Sequence, residues 1–476
     1  MRRKAFLRAG AGAMTVAALP PLPLCAAAAE VVEYTLTAAP LNFAPLAGLR
    51  FAGLAYNGTI PGPILRVVHG QRVRIRYRSR VVPPTSVHWH GMILPNAMDG
   101  AAGVTQPAVE RGHEFIYEFA PGPPGTRWYH DHAFALTMIR GLFGIFVVED
   151  PRDERVNNEF ALVFHDVPDW SSVEAAVRGV SNAPMDDPMG SREMTEMMGG
   201  GKMNDEVAYL ARCINGASYP KTHELAVKVG DRVRLRLLNA NPTQTRYVRL
   251  AGHELTVTHA DGNPLARPVS VQALRIGGGE RYDAVFEVRN PGAFLLQGIS
   301  SDALAGQQAA VVYTEGMEHA TPLRDGDTLD GVRVFSYEAA GGTATSSPAP
   351  KHGPAFELAL AGGAWANPRW TINGKSWPHT EKLVVRRGDL VTVRFVNQSD
   401  MEHPMHLHGH TFALLETGGT WLARPLLKDV SLVPANKGTS TWQFTADSPA
   451  GRWLLHCHNE IHMTDGMMTE VVYGAT

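Results

Sequence analysis

The stretch Asn57-Gly58-Thr59-Ile60-Pro61 returns as Asn215-Gly216-Ala217-Ser218-Tyr219-Pro220 and again as Asn373-Gly374-Lys375-Ser376-Trp377-Pro378. The starts at 57, 215 and 373 keep a constant step of 158 residues, so the chain reads as three copies of one unit. Each start leads into a glycine and then an alternating run: Val73, Ile75, Tyr77; Val233, Leu235, Leu237; Val391, Val393, Phe395. In the first two copies arginines occupy the intervening positions (Arg74, Arg76; Arg234, Arg236), the pattern of an antiparallel strand with one buried face. Each copy also closes on a glycine-opened apolar strand, beginning at Gly125, Gly292 and Gly451. The fold class is therefore all-β, with sandwich units at 30–150, 151–340 and 355–476 and a Gly/Thr/Ser/Pro-rich linker over 341–354.

The residues just after the closing strand differ between copies, and the difference is chemical. Copy one continues His130-Asp131-His132, copy three His456-Cys457-His458, and copy two Gln297-Gly298-Ile299. Copy one carries His88-Trp89-His90-Gly91 and copy three His403-Pro404-Met405-His406-Leu407-His408-Gly409-His410, whereas copy two has Arg246, Arg249 and Ala251 at the matching places. Copy two reads as a spacer. In a strand, residues i and i+2 share a side, so His88/His90, His130/His132, His406/His408 and His456/His458 each present two imidazoles. Eight such nitrogens suit a metal cluster rather than one tetrahedral ion. Cys457 must point the other way, where His403, His462 and Met467 complete a His₂Cys set with a weak axial thioether, the blue-copper electron-transfer set. Zinc would leave that arrangement without purpose, since it has no redox chemistry.

The 476 residues are 44% hydrophobic and 19% charged, with 44 Lys+Arg against 46 Asp+Glu, which excludes a disordered chain and gives no basic excess for nucleic acid. Arg2, Arg3, Lys4 and Arg8 precede an apolar run ending in Cys25-Ala26-Ala27-Ala28-Ala29, so residues 1–29 read as an export signal of twin-arginine type and the protein as periplasmic or secreted. No later stretch is long and apolar enough to span a membrane as a helix. Cys213 and Cys457 are expected to form no disulfide, with Cys213 packing as a small apolar residue.

In combination, the motifs HWHG, WYHDH, HPMHLHGH and HCHNEIHMTDGM resemble those of the three-domain multicopper oxidases of bacterial laccase and cuprous oxidase type, over essentially the whole mature length. The resemblance implies three consecutive cupredoxin-like Greek-key β-sandwiches and four copper ions. His403, Cys457, His462 and Met467 match the type 1 ligands. His88 and His406 match type 2, and His90, His130, His132, His408, His456 and His458 match the type 3 pair. His410 falls outside the set and is expected to be structural. The implied reaction takes electrons singly from a reductant and reduces dioxygen to water, which requires protons. Asp99 matches a family position for that role and Glu460 is a second candidate.

Six methionines, Met185, Met189, Met194, Met197, Met198 and Met203, crowd a polar stretch, and Asp400 and Met401 precede His403. Soft thioethers select Cu(I), so these residues read as a Cu(I)-collecting loop and a substrate-holding pair. The favoured reductant is Cu(I), in a role in copper tolerance. Oxidation of phenols is the alternative, ahead of an electron carrier or a copper-free structural relative. The partners are dioxygen and a small reductant or Cu(I), with no nucleic acid and no membrane insertion, and the chain is expected to be a monomer.

Overall fold

The computed structural model describes residues 31–133, 135–174, 176, 207–299, 303–344, 353–363 and 369–474. The export signal and the methionine stretch from Met185 to Met203 lie outside these residues. Each Asn-Gly start is a tight turn. Asn57, Asn215 and Asn373 have φ of 53°, 50° and 51°, and Gly58, Gly216 and Gly374 have φ of 79°, 84° and 74°. Two successive left-handed residues match the right-handed twist of a hairpin, which is why Asn-Gly is selected there. In each copy the asparagine Oδ1 accepts the amide of Thr37, Val163 or Ala359, and its Nδ2 donates to the carbonyl of Thr35, Ala161 or Glu357. The turn is thereby tied to the first strand of its own unit.

Each unit is a pair of sheets. The first has the strand order Phe51–Tyr56, Val31–Phe43, Arg72–Ser79, Glu114–Phe119 against Leu65–Val68, Phe143–Glu149, Gly125–His130, His88–His90. Leu36, Val73, Ile75 and Tyr77 from one sheet and Leu65, Trp89, Tyr129 and Phe146 from the other form one buried cluster. The second and third units each pair a six-stranded with a five-stranded sheet. In all three, the opening strand runs parallel to the alternating strand: Val31–Phe43 with Arg72–Ser79, Asn158–Pro168 with Arg232–Asn239, Ala355–Ala361 with Leu390–Asn397. The sheets are thus mixed rather than purely antiparallel.

The register confirms the alignment of the copies. His88 lies opposite His130, His406 opposite His456, and Arg249 opposite Gln297. In copy two the place of the first histidines is filled by Arg249, paired with Asp325 at 2.9 Å, and the place of His403 by Arg246, paired with Asp166.

Two features depart from the sequence reading. Arg74 and Arg76 face solvent, but Arg234 and Arg236 are buried, and Arg236 donates to Asp283 at 2.9 Å and to Thr126 of the first unit at 2.8 Å. The polar face of the middle unit is an interface, not a solvated surface. The segment read as a linker is packed at its start, since the helix Tyr337–Gly341 ends there and Thr343 bridges to Leu422. Residues 345–352 lie outside the described set.

Candidate metal centre

The histidine strands of units one and three converge between the two units. His88 and His90 lie in a strand, but the strand Gly125–His130 stops before His132, His403–Leu407 before His408, and Arg452–Cys457 before His458. Those three rings sit on chain that has left its sheet. The His408 amide bonds the Leu454 carbonyl (2.9 Å) and the His458 amide the Pro404 carbonyl (2.6 Å), which fixes these two without a ladder.

Ring nitrogens meet in three groups. His88 Nε2 is 3.4 Å from His406 Nε2. His456 Nε2 is 3.2 Å from His132 Nε2 and 3.0 Å from His408 Nε2. His90 Nδ1 is 3.4 Å from His130 Nε2, with the His458 ring centroid 5.1 Å from that of His90 and 5.2 Å from that of His130. In five of these rings the opposite nitrogen is already committed. Nδ1–H of His88 donates to Asp99 O (2.8 Å), His130 to Asp131 O (2.9 Å), His406 to Asp429 O (2.7 Å), His456 to Cys457 O (2.9 Å) and His408 to Asp99 Oδ2 (2.8 Å). A neutral imidazole has one N–H, so the facing nitrogens of His88/His406 and His408/His456 bring lone pair to lone pair. Such pairs repel unless a cation lies between them, and a carbonyl or carboxylate behind each ring is the usual support of a metal-binding histidine. His90 reverses the pattern: its Nε2–H donates to Asp429 Oδ1 (3.1 Å) and its Nδ1 faces the cluster.

Burial pushes the pKa of His90, His130, His406, His408 and His456 well down, with neighbouring histidines adding to it. His132 and His458 are pushed down to about 3, also chiefly by burial. The rings are therefore held neutral, the form that binds metal.

On the other side of the same strand, Cys457 Sγ is 3.6 Å from His403 Nδ1 and 3.6 Å from His462 Nδ1, and those two nitrogens are 3.0 Å apart. His403 Nε2 is engaged by Ser399 Oγ at 2.8 Å, so its Nδ1 is the free face. The amide of Asn459 points at Cys457 Sγ (3.4 Å) and the Trp370 ring stacks on His462 with centroids 3.7 Å apart. Met467 is fully buried and its carbonyl accepts the Cys457 amide at 3.0 Å. A soft thiolate with two imidazoles fits copper. Cys213 is not bonded to Cys457; it packs with Phe51, Val167 and Ala211, and burial raises its thiol to about 12. His410, engaged by His408 O (2.8 Å) and Tyr473 OH (2.7 Å), lies outside both groups.

Of the two expected acids, Asp99 is fully buried. Its Oδ2 meets His408 and its Oδ1 lies 3.4 Å from His88 Nδ1. Glu460 is buried with Oε1 3.5 Å from His458 Nδ1, and burial, reinforced by Asp131, raises its pKa well above the carboxylate range. Asp400 is exposed and Met401 packs against the core that contains Cys457 and Met467. Sequence reasoning missed Asp429, Arg281, Ser399 and Trp370, none of which stands in a repeated motif. Gly91 was a usable signal. It has φ of 78°, and a Cβ there would stand 2.5 Å from Asp429 Oδ2 and 2.6 Å from Arg281 Nη2.

Comparisons with known proteins agree with this geometry. Three family models described as multicopper oxidase match residues 38–153, 187–316 and 350–476. The multicopper oxidase MmcO of Mycobacterium tuberculosis is 33% identical over 93% of this chain and 87% of its own. Copper resistance protein A of Escherichia coli is 24% identical over 87% of this chain and 88% of its own. The laccase of Botrytis aclada shares the fold, with a TM-score of 0.75 at 23% identity over 93% of this chain and 87% of that one. The chain belongs to the multicopper oxidases, copper enzymes that couple oxidation of a reductant to the reduction of dioxygen.

Proposed function

We propose that the chain holds four copper ions, one on His403, Cys457, His462 and Met467 and three on the eight clustered histidines, and that Cu(I) is its preferred reductant. The observation that carries the copper assignment is the set of facing lone pairs, each ring backed by an oxygen acceptor. Within the cluster, His88 and His406 form the type 2 pair, His132, His408 and His456 one type 3 triad, and His90, His130 and His458 the other. When bound, copper supplies the one-electron steps and the dioxygen-reducing centre. The chain's own part is to join the two centres. Cys457 serves one, and its neighbours His456 and His458 serve the other, so the covalent path between them is a single peptide segment. Asp99 and Glu460 are buried acids beside the cluster and would hand protons to it.

The Cu(I) reading rests on the methionine stretch, which lies outside the described residues, and on where its flanks are anchored. Val173, Ala176 and Val207 pack in one cluster with Ile461, the residue next to His462. The described residues on either side of the stretch thus lie against the short helix that carries His462, and Asp400 and Met401 precede His403. We place the protein in the periplasm or outside the cell, as a monomer with a role in copper tolerance. The test is deletion of residues 185–203. Cu(I) turnover at limiting copper should fall several-fold while dimethoxyphenol turnover rises. If both stay unchanged, the phenol-oxidising reading is the better one.

A further inference from the structure

Among its described residues the middle unit gives no histidine to the cluster, yet it reaches it. Arg281, fully buried, opens the strand Arg281–Glu287 of that unit and forks onto Asp429 of the third unit, with Nη1 2.6 Å from Oδ1 and Nη2 2.6 Å from Oδ2. Its remaining hydrogens go to the carbonyls of Gly279 (3.1 Å), Asp261 (3.2 Å) and Thr126 (3.3 Å). Asp429 in turn takes the Nε2–H of His90 on its carboxylate and the Nδ1–H of His406 on its carbonyl. Arg127 of the first unit approaches Asp429 Oδ2 at 3.4 Å and Lys428 bridges Asp261 (2.9 Å) and Glu280 (2.8 Å). Burial would discharge Arg281, but Asp429 and Asp261 overcome it and keep the guanidinium charged. Gly91 leaves the space that this ion pair needs beside His90.

We propose that Arg281 is a positioning residue for the histidine cluster. Its planar fork fixes the Asp429 carboxylate, which alone among the described acceptors holds the Nε2–H tautomer that turns His90 Nδ1 inward. The middle unit is a clamp rather than a spacer. This rests on the ligand assignment proposed above.

The test uses the full chain loaded with copper, comparing Arg281→Lys, Arg281→Met and the double variant Arg281→Met, Asp429→Asn, which removes the buried charge pair together and so keeps the fold. The readouts are copper per chain, the visible band of the mononuclear centre, and the rate at which a chelator strips cluster copper. All variants should keep the visible band while cluster copper binds about 10–100-fold more weakly in both Arg281→Met proteins, with Arg281→Lys between. In the metal-free Arg281→Lys protein, the ¹⁵N shifts of His90 should report mixed tautomers, against one in the parent. A merely structural arginine would lower the melting temperature and weaken both centres alike, and that result, or parental chelator resistance and a single His90 tautomer, overturns the proposal. A parent protein without cluster copper would instead overturn the ligand assignment.

Discussion

Asp99 serves two rings at once. Its carbonyl holds His88 and its carboxylate holds His408, and those rings stack with centroids 3.8 Å apart. An asparagine can still accept the His408 hydrogen bond through its side-chain oxygen, but its amide does not ionise and so cannot relay a proton. Asp99→Asn should therefore slow reoxidation by dioxygen by about 10²–10⁴-fold and leave reduction of the mononuclear centre by substrate near normal. Stopped-flow measurement of the two half-reactions checks this, and equal slowing would mean that Asp99 acts only through the ligand rings. At this scale the clustered histidines were legible because His-x-His and His-Cys-His recur in the first and third copies and are missing from the second. The carboxylates behind them were not all legible. Asp429 reaches His90 from another unit, across a separation that no local pattern records.

The short helix Glu460–Thr464 places His462, and it begins where Asn459 caps it. Asn459 Oδ1 accepts the amides of Ile461 (3.0 Å) and His462 (3.4 Å), while its own amide points at the Cys457 sulfur. Asn459→Ala should cost about 1 kcal/mol through the lost cap and, by loosening His462, weaken the visible band without altering cluster copper. Denaturant titration and absorption spectra on the same preparation test both halves. The strands were read correctly from alternation and from Asn-Gly turns. Their ends were not, because His408 and His458 stay fixed by hydrogen bonds between neighbouring segments after their ladders stop. Arg234 and Arg236 show the same limit: alternation identifies a polar face but cannot say that another unit covers it.

For the whole molecule, the histidine cluster lies between units. The buried histidines make assembly pH-dependent with a definite sign. His132 and His458 titrate near 3 in the folded chain and near 6.5 when unfolded. Below the unfolded value the unfolded chain binds more protons, so stability is full above about pH 6.5 and drains as pH falls toward 3. Each pH unit crossed in that window costs up to about 1.4 kcal/mol per such histidine. The metal-free protein should melt at progressively lower temperature from pH 7 to pH 4, and copper should oppose the drop until protons displace it; calorimetry at fixed ionic strength reads both.

The assignment of one peptide segment to two copper centres is tested most directly by comparing the parent chain with Cys457→Ser for copper content, visible absorption and oxygen uptake. The parent should carry four coppers per chain with an intense visible band from the Cys457 thiolate. The variant should lose that band, one copper and oxidase turnover, and keep the three cluster coppers on His456, His458 and their partners. A variant that stays blue, or that still turns over an organic reductant, would contradict it.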